Sequence, residues 1–408
     1  MAKNVVALEI SSSAIKLVVG YVLDQNVVVL HAAIKDLPNN AVVGEDIKEP
    51  DVVSLAIADI IKDGENRLKC DIKDVVLVLP PVGFEVFENT QSTNIVSSTG
   101  IIAEVDVRNV ISMLRKDRYD HNNKIVDIIP QNYLLDQNRI FANTPIGESS
   151  STLQMRAFVH TISPEVMNTF SKIVKQLGLN ITKYVVAPYG VGLLFKDYRK
   201  LPEQYLLVDY GAEYTTVSTI SNGLIYGSTF FQNGSETLTE SIKNAFNVTD
   251  KEAKKLKEVF GLDSTVSTFH PTISKSQVDG KELNYTIEDL NNIVSNYLMN
   301  YTRDLRRTLK TVLNDESFTR NIPLVFIGGG STLRGFEEFM VEQKLSDVIL
   351  FPTLKSMGAR DITFASCLGA IKVGDTQSFD EDKDTTRIVT PLTREKKKKV
   401  YSETEDKL

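Results

Sequence analysis

Three short stretches of this chain combine residue types that can bind phosphate groups. The first is a serine-rich turn, Ser11-Ser12-Ser13, between two valine-rich runs, with Glu9 before it and Lys16 after it. Tight turns of this kind present backbone N–H groups, and the serines add hydroxyl donors. Lys16 can reach a terminal phosphate as a point charge. A plain β-hairpin with a polar turn explains the same residues equally well.

The second stretch, Asp209-Tyr210-Gly211, follows a buried strand pattern at 205–208. A carboxylate at the end of such a strand is costly unless it lies in a cleft or near a cation. Asp209 is therefore predicted to hold Mg²⁺ through water molecules, with a turn-capping role as the alternative. Gly211 permits a close approach of the backbone. Glu213 is expected to bring negative charge towards a phosphate and to weaken its binding.

The third stretch is the run Gly328-Gly329-Gly330-Ser331, between a buried strand pattern at 324–327 and a helix expected from about Leu333. Three glycines allow the backbone to touch a flat ligand such as a purine. The run does not match the dinucleotide-binding fingerprint, and the chain contains no Walker lysine motif. The order and spacing of the three stretches are typical of a phosphate clamp that is divided between two lobes.

Length and composition limit the class of protein. The 408 residues suggest roughly two to four subdomains. A net charge of −7 argues against general nucleic-acid binding, which usually needs a basic face. Cys70 and Cys367 are predicted to be buried free thiols, with a disulfide as the alternative. The first residues run directly into a strand pattern without a signal sequence, and no apolar run reaches about 20 residues, so a cytoplasmic location is predicted.

Hydrophobic periodicity predicts the elements that carry the first stretch. Three strands are expected within 4–33, a helix over 51–62 and a buried strand over 75–79. Residues 82–160 lack a phosphate-binding pattern and are predicted to form a compact insertion. Its expected elements are strands at 84–88, 124–135 and 152–161 and a helix at 104–115.

Local signals predict the elements further along the chain. A helix is expected to begin after Ser163, which caps it, and to end at Gly178. Asn222-Gly223 favours a tight hairpin, because both residues tolerate positive φ. Residues 236–313 are predicted to be mostly helical, with an irregular stretch at 263–280. From about residue 373 the chain becomes polar and charged, which predicts disorder.

Four further segments resemble the FtsA family of bacterial cell-division proteins, which are actin-like ATP-binding proteins that tether FtsZ to the membrane. The similarity extends over roughly residues 4–372. The segments that carry it are Val126-Asp127-Ile128-Ile129-Pro130-Gln131-Asn132-Tyr133-Leu134-Leu135-Asp136, Asn143-Thr144-Pro145-Ile146-Gly147, the run from Gly234 to Lys257, and Ala365-Ser366-Cys367-Leu368-Gly369.

The resemblance implies an α/β protein with a two-lobed actin-like fold, a duplicated ribonuclease H-like fold, and an inserted α+β subdomain of the SHS2 type. ATP and Mg²⁺ would lie between the lobes. The implied segments are 1–79 (first part of lobe 1, with the first phosphate loop), 80–161 (insertion), 162–202 (second part of lobe 1), 203–232 (lobe 2, with the second phosphate loop), 233–314 (helical nucleotide- and partner-binding subdomain), 315–372 (lobe 2, with the adenosine motif) and 373–408 (disordered charged tail).

The nucleotide-binding set that follows from the residues and the resemblance together is Glu9, Ser11, Ser12, Ser13, Lys16, Asp209, Gly211, Thr215, Gly234, Lys254, Lys257, Gly328, Gly329, Gly330 and Ser331. The chain departs from the family in both phosphate loops. The family has Asp and Gly where this chain has Glu9 and Ser11, its second loop is richer in glycine, and Lys254 stands where a glutamate is expected near the ribose. Weakened ATP binding and, at most, weak ATPase activity are therefore expected, and no catalytic residue is assigned.

The resemblance also implies partners. The helical segment would bind the acidic C-terminal tail of FtsZ. Arg303, Arg306 and Arg307 fall at i, i+3 and i+4 on the helix expected near 287–313, so their guanidinium groups share one face. Such a face suits an acidic peptide, and a solvated face paired with local acids is the alternative. The implied function is that of an actin-like cell-division protein that forms filaments and links the FtsZ ring to the membrane and to later division proteins.

The basic run Lys396-Lys397-Lys398-Lys399 is expected to provide weak, salt-sensitive binding to an anionic membrane surface. A solubilising tail is the alternative. The expected location is peripheral, at the inner face of the cell membrane at the division site. Two other functions compete with the FtsA interpretation: a PilM-type actin-fold scaffold for pilus assembly, and an actin-fold kinase, for which the chain offers no convincing sugar pocket or catalytic carboxylate.

Overall fold

The valine-rich runs at the start of the chain form adjacent strands in the computed structural model, which describes residues 3–117, 119, 123–136, 138–262, 271–278, 281–313, 321–376 and 389–391. β-Branched side chains pack well on a pleated, half-buried surface, which favours strands here. The elements up to residue 79 are β1 (Val5–Ile10), β2 (Ala14–Leu23), β3 (Asn26–Asp36), β4 (Val42–Val43), β5 (Asp46–Ile47), α1 (Pro50–Leu68), β6 (Cys70–Ile72) and β7 (Asp74–Leu79). Helix α1 continues beyond the predicted residue 62 to Leu68, and Gly64 is buried on its inner face.

The insertion forms a separate antiparallel sheet with a helix packed on it, as predicted. Its elements are β8 (Glu85–Asn94), α2 (Glu104–Lys116), β9 (Lys124–Leu135), β10 (Arg139–Phe141) and β11 (Thr152–Ile162). The strand order is β10-β9-β11-β8. Val107, Val110 and Leu114 on α2 pack in a core with Tyr133 and Met155 from the sheet.

The chain then returns to lobe 1 through α3 (Pro164–Gln176), β12 (Asn180–Val186) and α4 (Ala187–Phe195). The predicted cap is present, since the Ser163 hydroxyl accepts a hydrogen bond from the Glu165 N–H at 3.2 Å. Gly178 follows the helix with a φ of 76°, in the left-handed region that glycine adopts at low cost. Strand β12 completes a five-stranded sheet in the order β12-β7-β1-β2-β3.

Lobe 2 and the helical subdomain make up the rest of the described chain. Their elements are β13 (Gln204–Tyr210), β14 (Thr215–Ser221), β15 (Leu224–Phe231), α5 (Ser235–Phe246), α6 (Asp250–Phe260), β16 (Thr272–Val278), β17 (Lys281–Thr286), α7 (Ile287–Leu313), β18 (Leu324–Ile327), α8 (Phe336–Glu342), β19 (Ile349–Leu350), α9 (Ala365–Asp375) and β20 (Val389–Pro391). Asn222 and Gly223 have positive φ values of 50° and 80° and form the predicted hairpin turn. The stretch predicted to be irregular contains β16, which pairs with β17.

The two lobes repeat one topology, which confirms the predicted fold class. The sheet of lobe 2 has the order β15-β14-β13-β18-β19. In each lobe three consecutive strands pair antiparallel, and the first of them also pairs in parallel with a later strand. Glu9 on β1 and Asp209 on β13 occupy equivalent positions, each one residue before the end of its strand. The repeat therefore brings two acidic strand ends to the cleft between the lobes.

Helices α4 and α9 pack against each other beside this cleft. The backbones approach so closely at Gly190 and Gly369 that a Cβ on Gly369 would lie 2.1 Å from the Gly190 carbonyl carbon. Helix α9 runs to Asp375, so the folded part extends a few residues beyond the predicted boundary at 372. Strand β20 pairs with β6. Residues 377–388 and 392–408 of the predicted disordered tail lie outside the described residues.

Candidate functional site

All three predicted phosphate-binding stretches line one cavity of about 380 Å³ between the lobes. Two of them follow β1 and β13, the central strands of the two five-stranded sheets, and the third follows β18, the parallel neighbour of β13. The predicted residues that line this cavity are Glu9, Ser11, Ser12, Ser13, Lys16, Asp209, Gly211, Gly328, Gly329 and Gly330.

A buried ion pair forms the floor of the cavity. Lys16 and Glu9 are directly opposite each other on β2 and β1, and Lys16 Nζ lies 3.1 Å from Glu9 Oε1. The second carboxylate oxygen accepts a hydrogen bond from the Ser366 hydroxyl on α9 and lies 3.6 Å from Cys367 Sγ. The carboxylate of Glu9 thus already has several donors around it. This arrangement ties the first phosphate loop to α9.

The ionisation of the floor depends on burial and on neighbouring charge. Burial on its own would lower the pKa of Lys16, but the neighbouring acidic groups, Glu9 first and Asp209 after it, outweigh burial and raise this pKa, so Lys16 stays protonated. Burial raises the pKa of Asp209 to about 6; Lys16 opposes this rise and Glu9 adds to it. An Asp209 carboxylate that is costly to ionise is a good position for a cation, because the positive charge restores the ionised form.

The serine turn contains hydrogen-bond donors that stabilise the turn and donors that face the cavity. Ser11 donates to the Ala14 carbonyl through both its backbone N–H, at 3.0 Å, and its hydroxyl, at 2.7 Å. Ser12 and Ser13 also line the cavity, and within the described part of the chain their hydroxyls have no hydrogen-bond partner. Ser11 therefore shapes the turn, while Ser12 and Ser13 remain available to a ligand.

Two of the three glycines in the glycine turn are required by the fold itself. Gly328 has a φ of 88°, and a Cβ there would lie 2.3 Å from Asp209 Oδ1. A Cβ on Gly330 would lie 2.5 Å from the ring of Tyr210. A Cβ on Gly329 would meet only the Thr363 methyl group, at 3.6 Å. The fold therefore tolerates a side chain at Gly329. A substitution there can test ligand binding without disturbing the packing of the turn.

The second phosphate loop directs its acidic side chain away from the cavity. Glu213 does not line it and instead accepts a hydrogen bond from the Gly44 N–H at 3.4 Å. Glu213 lines a neighbouring cavity of about 630 Å³, which Ser12 and Ser13 also line. The loop between β3 and α1 therefore binds this carboxylate beside the cavity, and the effect of Glu213 on phosphate binding stays a prediction.

Five predicted residues do not line the cavity. Thr215 is buried and donates to the Asn233 carbonyl at 2.8 Å. Gly234 packs so closely on the second loop that a Cβ would lie 2.1 Å from the Ala212 carbonyl oxygen. Lys257 is buried and donates to the Ser235 carbonyl and to the Thr239 hydroxyl.

The remaining two also have other contacts. Lys254 is half exposed and lies 4.0 Å from both Asp36 and Glu258. Ser331 donates its hydroxyl to the Gly328 carbonyl at 2.7 Å and thereby closes the glycine turn. Four of these five residues therefore hold the loops around the cavity, and Lys254 lies at its outer rim.

Several lining residues were not predicted, and most are acidic or lie on distant segments. They are Ile10, Ala14, Ile34, Asp36, Val78, Leu79, Pro80, Pro81, Ala187, Ala212, Tyr214, Thr216, Ser235, Glu258, Thr332, Asp361 and Thr363. Asp36 could have been found from the sequence, because it ends β3, and β3 pairs with β2, the strand that follows the serine turn. Asp361 caps the three-ten turn at 362–364, and no local sequence pattern indicates that it lines a cavity.

A nucleotide with Mg²⁺ fits the chemistry of this wall. Lys16 is the one basic side chain among the lining residues that the structure describes, whereas the wall also contains five carboxylates: Glu9, Asp36, Asp209, Glu258 and Asp361. Phosphate groups without a metal would be repelled by such a wall. Asp209 would hold Mg²⁺ through water, which supplies the missing positive charge, while Ser12 and Ser13 offer hydroxyl donors.

The predicted arginine face lies on α7. Arg303, Arg306 and Arg307 are exposed, and the opposite face of the helix is buried through Leu305 and Leu309. Arg307 Nη1 lies 3.5 Å from Asp304 Oδ1. No other polar partner is described for Arg303 or Arg306 among the residues that the structure covers. Among the described residues, no helix is long and apolar enough to cross a membrane, and Lys396 to Lys399 lie outside them.

Comparisons with known proteins agree with this geometry. A model of the family described as the SHS2 domain inserted in FtsA matches residues 84–161. FtsA of Staphylococcus epidermidis is 24% identical over 384 residues, which cover 92% of this chain and 79% of that protein. FtsA of Enterococcus faecalis is 25% identical over 371 residues, which cover 90% and 82% of the two chains.

Two solved structures share the fold. The PilM-PilN type IV pilus biogenesis complex superimposes with a TM-score of 0.59 at 17% identity and covers 91% of this chain and 99% of the other. MreB5 of Spiroplasma citri bound to AMPPNP superimposes with a TM-score of 0.51 at 14% identity, with coverages of 91% and 96%. The fold and the cleft thus define an actin-like protein with an inserted SHS2 domain. The resemblance to the cell-division protein FtsA extends over most of the chain and is confirmed.

Proposed function

We propose that this chain is an actin-like division protein of the FtsA kind that binds Mg-ATP between its lobes and hydrolyses it slowly or not at all. The observation that carries the proposal is the convergence of both phosphate loops and the glycine turn on one cavity. MreB5, which has the same fold, is described with AMPPNP and with ADP bound. In this proposal Ser12, Ser13 and Lys16 bind phosphate oxygens, and Asp209 holds Mg²⁺ through water.

Slow turnover is proposed from the state of the floor carboxylate. A general base must be free to accept a proton from water. Glu9 already accepts from Ser366 and pairs with Lys16, so it is poorly placed for this role. ATP would then serve mainly to hold the two lobes together, as a bound ligand that stabilises the closed arrangement.

Calorimetry with Mg-ATP tests nucleotide binding. Gly329→Trp should abolish binding, because the new side chain starts from a cavity-lining position that meets only Thr363. Gly227→Trp is the matched control, since a Cβ on Gly227 meets nothing within 4 Å and Gly227 does not line the cavity. Equal binding by both variants would contradict the site, and robust steady-state ATPase activity of the unmodified chain would contradict slow turnover.

We propose that the arginine face binds the acidic C-terminal tail of FtsZ. Exposed guanidinium groups at this spacing can form charge-assisted hydrogen bonds with peptide carboxylates. Arg303→Glu/Arg306→Glu should abolish binding of an FtsZ tail peptide at low salt, measured by fluorescence anisotropy. Lys172→Glu/Lys175→Glu, two exposed lysines on α3 of lobe 1, makes the same charge change as a control. Unchanged affinity of the arginine variant would reject this face.

We propose that Lys396 to Lys399 attach the chain weakly to anionic lipid. Each basic residue contributes on the order of 1 kcal/mol near such a surface, and salt weakens the attraction. Filament formation would add many tails together and strengthen attachment. Sedimentation with anionic vesicles should therefore show binding that is lost at high salt and on replacing the four lysines with alanine. Binding to neutral vesicles that survives high salt would contradict this electrostatic attachment.

We also propose that the chain forms filaments and that the inserted subdomain contacts neighbouring copies and later division proteins, at the inner face of the membrane at the division site. The insertion has its own core and a sheet with an edge strand, β8, that pairs on one side in its sheet. Deleting residues 84–161 should abolish sedimentable filaments formed with Mg-ATP. Filaments of normal yield without these residues would contradict a role of the insertion in assembly.

A further inference from the structure

Helix α7 supports the second phosphate loop from behind. The Tyr297 hydroxyl donates to the Gly234 carbonyl at 2.7 Å, and the Tyr210 hydroxyl donates to the Tyr297 oxygen at 3.0 Å. All of these groups are buried. Gly234 in turn packs directly on Ala212, which lines the nucleotide cavity. A single hydroxyl on α7 therefore fixes the segment on which the second loop rests.

Tyr210 extends this support to the glycine turn. Its ring lies so close to Gly330 that no Cβ fits between them, and its carbonyl oxygen would lie 2.5 Å from a Cβ on Gly328. Tyr210 also follows Asp209 directly in the chain. Through Tyr297 and Tyr210, α7 thus holds both walls of the cavity that lobe 2 provides.

Asp304 connects the same helix to the arginine face. It lies seven residues after Tyr297, which is close to two helical turns, so both side chains lie on one side of α7. Asp304 Oδ2 accepts from Asn233 Nδ2 at 3.0 Å, and Asp304 Oδ1 lies 3.5 Å from Arg307 Nη1. Asn233 immediately precedes Gly234. The Asp304 carboxylate is therefore shared between the arginine face and the segment that supports the second loop.

We propose that α7 couples the arginine face to the nucleotide cavity, with Tyr297 and Asp304 as positioning residues. An acidic peptide on the arginine face competes with Asp304 for Arg307. The carboxylate then binds Asn233 alone, and this charge-assisted hydrogen bond becomes stronger because it is no longer shared. The segment at 233–234 is then held more firmly, and the cavity that it supports binds nucleotide more tightly. By linkage, nucleotide strengthens peptide binding by the same factor. This inference rests on the proposed function, since it needs both ligands.

The test is a binding cycle with Mg-ATP and the FtsZ tail peptide, measured by calorimetry on the full chain. In the unmodified protein, saturating peptide should tighten Mg-ATP binding by about fivefold or more. Asp304→Asn keeps an acceptor for Asn233 but removes the charge that Arg307 pairs with, so the peptide effect should fall below about twofold while both ligands still bind. Tyr297→Phe should weaken Mg-ATP by about two- to tenfold with or without peptide, because it removes the buried hydrogen bonds to the Gly234 carbonyl and from the Tyr210 hydroxyl.

Tyr205→Phe is the matched control. Tyr205 is also buried on β13, and its hydroxyl has no hydrogen-bond partner among the described residues, so this variant should keep the affinity and the coupling of the unmodified chain. If both ligands bind the unmodified protein independently, or if peptide loosens Mg-ATP, the coupling is overturned and the proposed function stands. If neither ligand binds, the proposed function is overturned and the coupling with it. A Tyr297→Phe variant with unaltered Mg-ATP affinity would overturn the positioning role.

Discussion

The protein should become more stable when the Asp209 carboxylate is neutralised. Asp209 lies at the end of β13 and lines the cavity floor, where burial raises its pKa from 3.8 to about 6. A raised pKa means that the folded protein disfavours the ionised carboxylate. The stabilising contribution of the protonated group is complete below about pH 4 and is lost as the pH rises through about 6. Asp209→Asn removes this loss, because an amide does not ionise.

The magnitude follows from the two pKa values. Their difference corresponds to about 3 kcal/mol at a pH well above 6, because a pKa change of one is worth about 1.4 kcal/mol. Asp209 borders a cavity that is open to water, and screening reduces the effect, so we expect roughly 1–3 kcal/mol. At roughly 2–4 °C per kcal/mol, the thermal midpoint at pH 7.5 should rise by several degrees.

Thermal unfolding at pH 4.5 and pH 7.5, without and with Mg²⁺, measures this effect. The advantage of Asp209→Asn should be larger at pH 7.5, and Mg²⁺ should stabilise the unmodified protein but not the variant. Asp36→Asn is the control, because Asp36 lines the same cavity but its side chain is 77% exposed. A variant that is less stable than the unmodified chain at pH 7.5, or whose advantage does not change with pH, would refute the reasoning.

Three other predictions test the construction of the site. Gly330→Ala should cost about 1–3 kcal/mol of unfolding free energy, because its Cβ would lie 2.5 Å from a buried ring, whereas Gly329→Ala should cost less than about 1 kcal/mol; urea denaturation compares the two. Lys257→Ala should lower the thermal midpoint, since it leaves two acceptors without their donor, while the exposed Lys254→Ala should not. Glu213→Gln should leave Mg-ATP affinity within about twofold by calorimetry, and a large gain would show that this carboxylate does repel phosphate.

Much of the fold could be predicted because its signals are local. The strands before and after the serine turn, the cap at Ser163 and the left-handed Gly178 each depend on a few neighbouring residues. The hairpin at Asn222-Gly223 has the same origin. The insertion could be located because residues 82–160 lack a phosphate-binding pattern and its α2 has one apolar face.

The wall of the cavity could be predicted only in part, because it is assembled from distant segments. Asp36 and Asp361 reach the cavity only through the pairing of β3 and the path of the chain after β19. The contact of Glu213 with Gly44 could not be predicted, because Gly44 lies in a loop 169 positions away in sequence. A local sequence pattern carries no information on such contacts. The same limit applies to the pairing of β16 with β17, since β16 lies in the stretch 263–280 that was predicted to be irregular.

The glycine turn shows how the same motif can serve the fold and the ligand at different positions. Gly328 and Gly330 are required by their contacts with Asp209 and Tyr210, so these two positions would need glycine even if no nucleotide bound. The argument for a nucleotide therefore depends on Gly329 and on the wall charges. The effect of Glu213 on phosphate binding stays a prediction, because its carboxylate accepts from the Gly44 N–H and lines the neighbouring cavity together with Ser12 and Ser13. Affinity should then depend chiefly on whether Mg²⁺ offsets the carboxylates around Lys16, which makes metal dependence the most informative property of this site to measure.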